Sequence, residues 1–330
     1  MKVALFSTKS YDQCFFDAAT AALDVGITYH EIKLTPSTAR LAEGQDAVCV
    51  FVNDDVSQET IAELSRLGVR FIALRCAGFN NVDVGAAQAA GIPIVRVPAY
   101  SPHAVAEHTV ALILSLNRHI HRAYTRVRDG NFALHGLLGF DLHGRTIGVV
   151  GTGKIGLEFS RLMKGFGCDV LAYDVAVNPE CEEIGVRYVS LEELFSSSDI
   201  ISLHCPLVPQ THHLIDESSI AKMKRGVMIV NTSRGAVIDT SAVIAGLKTG
   251  QIGYLALDVY EEEGDLFFED LSDRVIADDT LSRLQTFPNV LITGHQAFFT
   301  SEAMSAIAEV TVQNLLDLEK TGSSINEVKA

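Results

Sequence analysis

The sequence predicts an α/β protein made of two doubly wound parallel-sheet domains with a cleft between them, and three observations carry that expectation. Short apolar runs alternate with amphipathic stretches over the first hundred residues. One long apolar helical stretch interrupts the alternation after Ser101, and a second alternating series begins at a glycine-rich turn and runs almost to the C-terminus. Strand and helix in turn call for a parallel sheet, because parallel neighbours need a crossover and a helix supplies it.

In chain order, "KVALFS" reads as a strand, Tyr11 to Leu23 as a helix, "AVCVFV" as a strand and Ser57 to Leu67 as a helix. "VRFIALR" is the next strand, Val82 to Ala90 the next helix, and "IPIVRV" closes the first series. From Ser101, "SPHAVAEHTVALILSLNRHIHRAY" predicts one helix of about six turns, with Ser101 as N-cap and Pro102 at the first helical position, where its missing N–H costs nothing. This helix is expected to carry the chain from one domain to the next. Six apolar strands follow, "RTIGVVG", "DVLAYD", "DIISLHCP", "VMIVNTSRG", "IGYLALDVY" and "NVLITGH", most of them separated by helical stretches. The last helix, Ser301 to Lys320, aligns Met304, Ile307, Thr311, Leu315 and Leu318 on one face, which must pack on something, most economically the first domain.

Composition narrows the function classes. A chain of 330 residues with 48% hydrophobic content has material for more than one packed core, and a formal net charge of -15 disfavours nucleic acid and anionic membranes as partners. The start has only a short apolar run after its lysine, and no stretch approaches the ~20 residues of a membrane span. Six cysteines stand singly with no C-x-x-C pair, which suits a reduced, cytoplasmic setting. His212 and His213 are adjacent, and His119 and His121 stand two apart, so neither pair is expected to share a face, and no metal site is expected.

Two ends of the second series carry chemistry. "VVGTGKIG" puts Gly151, Gly153 and Gly156 between a strand and a helix, the arrangement that lets backbone N–H groups and a helix N-terminus close on a pyrophosphate. The next strand ends in Asp174, about 20 residues further on, where a carboxylate accepts from ribose hydroxyls and repels a 2′-phosphate. The expected cofactor is therefore NAD rather than NADP. At the other end, "VMIVNTSRG" finishes in Arg234, "LALDVYEEEGD" holds Asp258 and Glu263, and "NVLITGH" finishes in His295. All would project from the carboxyl edge of one parallel sheet, where ligands bind in such folds. An arginine fork suits the carboxylate of a small 2-oxo acid. An imidazole donates a proton to the carbonyl oxygen as hydride arrives, and a carboxylate beside it orients the ring. Arg234, His295 and Glu263 are the candidates, while Glu261 and Glu262 are expected to be a solvated acidic loop.

Taken together, "GTGKIG", "SLHCPLVPQTHHLID", "MKRGVMIVNTSRGAVID", "LALDVYEEE" and "NVLITGHQAF" resemble the D-isomer-specific 2-hydroxyacid dehydrogenase family. Within it "FVNDD", "ALRCAGFNNVD", "RVPAYSPHAVAEH", "LNRHIHRAY" and "DLFFED" extend the likeness over essentially the whole chain to the branch that forms D-lactate in bacterial fermentation. The resemblance implies a Rossmann-like NAD-binding domain over 101–298 and a flavodoxin-like substrate-binding domain over 1–100 and 299–330, closing over the ligand. It implies Arg234, Glu263 and His295 as the catalytic set for reversible reduction of pyruvate to D-lactate. Cofactor contacts are implied at Lys154, Ile155, Asp174, Cys205, Pro206, Thr211, Thr232, Ser233, Arg234 and Asp258, the last facing the nicotinamide carboxamide. The amides of Ala77 and Gly78 are implied to meet the substrate carboxylate, Tyr100 and Phe298 to close the pocket, and Phe51 to bound the space for the substrate's methyl group. A homodimer or homotetramer is implied, with the "VALILSL" helix contributing. Two other readings share the fold: a dehydrogenase for larger 2-oxo acids, and a non-catalytic NAD-binding regulator.

Overall fold

The computed structural model describes residues 1–329, which form two compact units, 1–101 with 299–329, and Pro102–Phe298. In unit 1 the chain runs β1 (Lys2–Leu5), α1 (Ser10–Thr20), β2 (Gly26–Tyr29), β3 (Ala47–Val50), α2 (Gln58–Arg66), β4 (Phe71–Leu74), α3 (Val84–Ala89) and β5 (Ile94–Arg96). The strands form a parallel sheet in the order β2-β1-β3-β4-β5. β2 has no counterpart among the apolar runs read from the sequence. It is an edge strand, "GITY", with alternate residues exposed, so it lacks the continuous apolar run that marks β3 and β4, whose residues are all buried.

Unit 2 begins with α4 (Pro102–Asn117) and α5 (Ile120–Arg128), then β6 (Thr146–Val150), α6 (Lys154–Gly165), β7 (Asp169–Tyr173), α7 (Pro179–Glu183) and β8 (Arg187–Tyr188). It continues with α8 (Leu191–Ser197), β9 (Ile200–Leu203), α9 (Glu217–Lys222), β10 (Val227–Asn231), α10 (Thr240–Thr249), β11 (Ile252–Leu257), α11 (Asp279–Gln285) and β12 (Val290–Ile292). The seven strands are parallel, in the order β12-β11-β10-β9-β6-β7-β8. Both faces are covered. Ile147, Val149, Ile200, Met228 and Val230 enter one core, while Val150, Ile201, Leu203, Val227 and Ile229 enter the other, as the two-residue period of a strand requires. β8, only two residues long and carrying an exposed arginine, is the seventh strand and gives no apolar signal.

The single six-turn helix expected after Ser101 is broken. α4 ends at Asn117, His119 adopts the left-handed φ of 52°, and α5 starts afresh at Ile120. Asn117 accounts for the break: its buried side chain donates to the Phe140 carbonyl at 2.7 Å and accepts from the Phe140 amide at 2.9 Å, pairing with a segment 23 residues away. α4 lies wholly in unit 2, packed on α6 and β10 to β12, and does not bridge from one unit to the other.

The final helix, α12 (Ser301–Thr321), belongs to unit 1 and packs on α1, β4 and β5. Met304, Ile307, Thr311, Leu315 and Leu318 are all buried on it. Thr300 caps its start by accepting from the Ala303 amide, and Gly322, in the left-handed conformation, ends it.

Candidate active site

Because every strand of unit 2 runs the same way, the segments that leave their C-terminal ends share one edge of the sheet. Read across the strand order, that edge carries His295 after β12, Asp258 and Glu263 after β11, Arg234 after β10, Cys205 and Pro206 after β9, the glycine turn after β6 and Asp174 after β7. The chain winds to opposite sides from β6, to β7 one way and to β9 the other, which makes this the switch point where open α/β sheets take ligands.

The glycine turn is shaped by close approach. Gly151 sits at φ +95°, and a Cβ there would stand 2.6 Å from the Cys205 amide; one at Gly156 would collide with the Gly151 carbonyl. Gly153 differs, since a Cβ there would meet no protein atom within 4 Å. Protein packing therefore does not demand glycine at 153, whereas a backbone that must lie against a pyrophosphate does. Gly153 is the N-cap of α6, so Lys154 and Ile155 are its first two residues, whose amides have no acceptor within the helix. Asp174 is tied to this turn: its Oδ2 accepts from the amide of Thr152 at 2.6 Å and from its hydroxyl at 3.1 Å, and its Oδ1 accepts from the Val175 amide at 2.7 Å. Asn178 donates to the Thr152 carbonyl and the Tyr188 hydroxyl to Thr152 Oγ1, so the strand missed by sequence, β8, braces the carboxylate. A helix N-terminus beside a fixed acid at the end of the next strand fits the diphosphate and ribose of NAD.

The segment after β9 is pinned by Thr211, whose hydroxyl donates to the Pro206 carbonyl at 2.6 Å and accepts from the Val208 amide at 2.9 Å. Cys205 is buried, and that burial pushes its thiol up to about 11, which leaves it an apolar wall and not a nucleophile. After β10, buried Asn231 accepts from the amide and hydroxyl of Ser233 and donates to the Arg234 carbonyl, and Thr232 pairs with buried Thr109 on α4 at 2.9 Å. Arg234 Nη1 donates to the Ser233 carbonyl at 2.6 Å. Among the described residues no carboxylate neutralises this half-buried guanidinium, so it is suited to an anion.

At the end of β12, His295 takes the left-handed φ of 53°, which turns its ring to Glu263. Its Nδ1 donates to Glu263 Oε1 at 2.8 Å; an ionised carboxylate only accepts, so Nδ1 carries hydrogen and Nε2 is the nitrogen left for a ligand. Glu263 is itself fixed, its Oε2 accepting from the Tyr260 amide at 2.9 Å. Phe298 and Phe268 flank the imidazole with centroids at 6.4 and 5.5 Å. Asp258, 1% exposed, spends its carboxylate on this segment: Oδ1 accepts from the Thr293 hydroxyl at 2.6 Å and the Gln296 amide at 2.9 Å, and Oδ2 from the Ala297 amide at 2.8 Å. Burial alone would raise its pKa, but the bonds from His108, Thr293, Ala297 and Gln296 outweigh burial and hold it below the ordinary carboxylate value. An Asp258 so occupied acts as the clamp on the histidine's segment.

In unit 1, Ala77 and Gly78 follow β4 in a loop pinned through its carbonyls, Arg96 Nη1 donating to Ala77 and the Cys76 thiol to Gly78. Among the described residues the amides of Ala77 and Gly78 have no protein acceptor, so two adjacent donors remain for an anion. Phe51 is 7% exposed just after β3, its ring 4.3 Å from the Arg75 guanidinium. Tyr100 lies half-buried beside the end of that unit's first segment.

Two readings of the chain fail here. Glu261 is not solvated: it accepts from His213 Nε2 at 2.6 Å and from the Thr240 hydroxyl at 3.0 Å. His212 and His213 do share a side, their rings stacked at 4.0 Å, because His213 adopts φ 51° and so cancels the alternation that an extended chain imposes. Sequence reasoning also missed Thr152, Asn178, Tyr188, His108, Thr109 and Thr293, which hold the candidate residues in place. Nothing in their local pattern marks them, since their partners stand 22 to 185 positions away.

The family model for "D-isomer specific 2-hydroxyacid dehydrogenase, NAD binding domain" matches residues 110–297. The chain belongs to the D-isomer-specific 2-hydroxyacid dehydrogenase family. A "2-hydroxyacid dehydrogenase homolog" of Haemophilus influenzae is 55% identical to this dehydrogenase over 319 residues, 97% of this chain and 96% of that protein. The D-lactate dehydrogenase of Escherichia coli is 53% identical over 328 residues, 99% of this chain and all of that one. The apo structure of D-lactate dehydrogenase from Escherichia coli superposes with a TM-score of 0.91 at 50% identity, covering both chains fully. This dehydrogenase is thus an NAD-dependent oxidoreductase with two parallel-sheet α/β units.

Proposed function

We propose that this chain is a D-lactate dehydrogenase that reduces pyruvate to D-lactate reversibly. The observation that carries the reading is the pair at the end of the sheet, His295 Nδ1 bonded to Glu263 Oε1 at 2.8 Å, with the unneutralised Arg234 leaving the next strand over. When bound, NADH supplies a hydride to the substrate's carbonyl carbon. Arg234 holds the substrate carboxylate, each charge-assisted hydrogen bond contributing roughly 1.5 to 3 kcal/mol. His295 Nε2 gives its proton to the carbonyl oxygen during reduction and takes it back during oxidation, while Glu263 fixes the ring so that Nε2 faces the substrate. Asp258 holds the His295 segment. Cofactor binding is assigned to the turn from Gly151 to Gly156, to Asp174, Cys205, Pro206 and Thr211, and to Thr232 and Ser233. In unit 1 we assign the amides of Ala77 and Gly78 to the substrate carboxylate, with Tyr100 and Phe51 limiting its size; Phe298 does so in unit 2.

The likeness to the Escherichia coli D-lactate dehydrogenase supports pyruvate as the substrate and the D configuration of the product. NADH oxidation with pyruvate, followed by chiral analysis, tests both, and D-lactate is the expected product. L-lactate, or tight NADH binding with no lactate formed, overturns the reading. A higher kcat/KM for 2-oxoisocaproate or phenylpyruvate than for pyruvate removes Phe51 from its size-limiting role.

A cytoplasmic location is supported by six cysteines that are all free. Among the described residues no helix is long and apolar enough to cross a membrane. We further assign a homo-oligomer, although not through "VALILSL", where Val110, Leu112, Ile113 and Leu116 are buried within unit 2. One run of exposed apolar residues lies on α5 and the segment after it, where Tyr124, Val127, Phe132, Leu134 and Leu138 are 50 to 89% exposed. A surface of that kind suits self-association. Light scattering of Leu134→Glu is expected to show a smaller assembly than wild type.

A further inference from the structure

We infer that His212, His213 and Glu261 form a binding site for one divalent transition-metal ion of the zinc class. One ligand atom from each of the three lies within 4.8 Å of the others. His213 Nε2 stands 2.6 Å from Glu261 Oε1, and the His212 ring stacks on His213 with centroids 4.0 Å apart and planes at 29°. An ion pair between His213 and Glu261 would need neither the second imidazole nor the backbone that brings it there. Neighbours on an extended chain point apart; His213 instead holds the left-handed φ of 51°, a conformation that costs a non-glycine residue of order 1 kcal/mol or more and puts both rings on one side.

The surroundings brace the three ligands independently. The His213 amide donates to the Ala236 carbonyl at 2.9 Å, and the Ile215 amide to the Val237 carbonyl at 3.1 Å, fixing the histidine segment to the turn after β10. Gly235 in that turn lies so close to the Tyr260 carbonyl and the Glu261 amide that no Cβ fits between them, which fixes the segment carrying Glu261 against the same turn. Glu261 Oε2 accepts from the Thr240 hydroxyl at 3.0 Å, the kind of outer bond that orients a ligating carboxylate. His213 and Glu261 side chains are 34% and 22% exposed, and His212 faces solvent, so an ion can enter. Two imidazoles and one carboxylate are a donor set for Zn²⁺, Co²⁺ or Ni²⁺, with water completing a tetrahedron; Mg²⁺ and Ca²⁺ want more oxygens. Bonds of about 2.0 to 2.1 Å to one ion put neighbouring ligand atoms roughly 3.3 Å apart, so side-chain rotation would have to adjust ligand atoms that now lie within 4.8 Å of one another.

The ion would join the segment after β9 to the segment after β11, two residues before Glu263. The binding claim does not depend on the proposed reaction, and its test does not read activity. Chelator-stripped full-length protein carrying Cys14→Ser, which removes the exposed thiol as a competing ligand, is titrated with Zn²⁺ by calorimetry in a non-coordinating buffer. One ion per chain is expected to bind saturably, with a matching rise in Tm, and millimolar Mg²⁺ is expected to do neither. His212→Gln, at an exposed position that folding tolerates, and Glu261→Gln are each expected to weaken Zn²⁺ binding about 10- to 100-fold, with His103→Gln, a histidine beside Glu158 elsewhere on unit 2, leaving it unchanged. Unfolding in chelator verifies that each variant folds, and His212→Gln alone decides if Glu261→Gln does not. Wild-type binding weaker than about 1 mM, or an affinity untouched by His212→Gln, overturns the site.

Discussion

Asp258 grips His295 from both backbone and side chain. The His295 amide donates to the Asp258 carbonyl at 2.7 Å, while the Asp258 carboxylate accepts from Thr293 before the histidine and from Gln296 and Ala297 after it. A ring held at φ 53° by a neighbouring strand end does not depend on its own strand, β12, which is only three residues long. Asp258→Asn keeps the shape but turns an acceptor into a donor beside at least one of these groups. It is expected to destabilise by about 1 to 3 kcal/mol in urea unfolding and to lower kcat through misplacement of the ring.

In the proposed reaction Glu263 acts through His295, to which it is bonded at 2.8 Å. Replacement by glutamine leaves an oxygen for Nδ1 but removes the charge that fixes the tautomer, and replacement by alanine also frees the Tyr260 amide. Single-turnover NADH oxidation is expected to slow by about 10-fold or more in Glu263→Gln, and further in Glu263→Ala, with the affinity for NADH, read by fluorescence titration, unchanged.

We assign the choice between NAD and NADP to Asp174. Its carboxylate is anchored by Thr152 and Val175, so Asp174→Ala removes both the ribose acceptor and the repulsion of a 2′-phosphate. A kcat/KM for NADPH relative to NADH that rises by at least about 10-fold is expected, equivalent to about 1.4 kcal/mol. An unchanged ratio would show that the acid serves only the turn.

Stability toward acid has a specific source. His204 packs its ring on Phe159 and bonds to Ser202, and burial pushes it down to about 3, so the native state leaves it neutral where the unfolded chain, near 6.5, takes up a proton. Its contribution is complete above about pH 6.5 and is lost as pH falls toward 3, at up to about 1.4 kcal/mol for each pH unit. The depressed Asp258 adds a loss in the same direction below its ordinary value of 3.8. Urea unfolding between pH 7 and 4 is expected to show a shallower slope in His204→Phe than in wild type.

A buried ion pair holds the interior of unit 1. Arg75 Nη1 lies 3.4 Å from Asp12 Oδ1, with the two residues 4% and 1% exposed, and the guanidinium also donates to the carbonyls of Phe6 and Ser7. Removing one partner leaves a buried charge uncompensated, so Asp12→Ala is expected to cost about 3 to 5 kcal/mol in chemical unfolding, whereas an exposed pair such as Arg66 with Glu63 contributes little.

What the sequence disclosed divides along physical lines. Strands β3, β4, β6, β9 and β10 are buried on both faces and so announce themselves as unbroken apolar runs, while β2 and β8 sit at sheet edges and carry no such run. Arg234, Glu263 and His295 stand out because charged residues at the ends of apolar strands have no packing reason to be there. The break at His119 was hidden because it depends on Asn117 pairing with Phe140, and the stacking of His212 on His213 depends on one backbone angle. Long-range hydrogen bonds and single dihedrals leave no periodic trace.

The most direct measurement is the single-turnover rate of NADH oxidation by pyruvate in His295→Gln, with NADH binding measured on the same protein. Glutamine fills a similar space yet cannot deliver the proton, so a fall of roughly 10² to 10⁴ with NADH affinity retained is the expected result. A rate within about tenfold of wild type would contradict His295 as the proton donor.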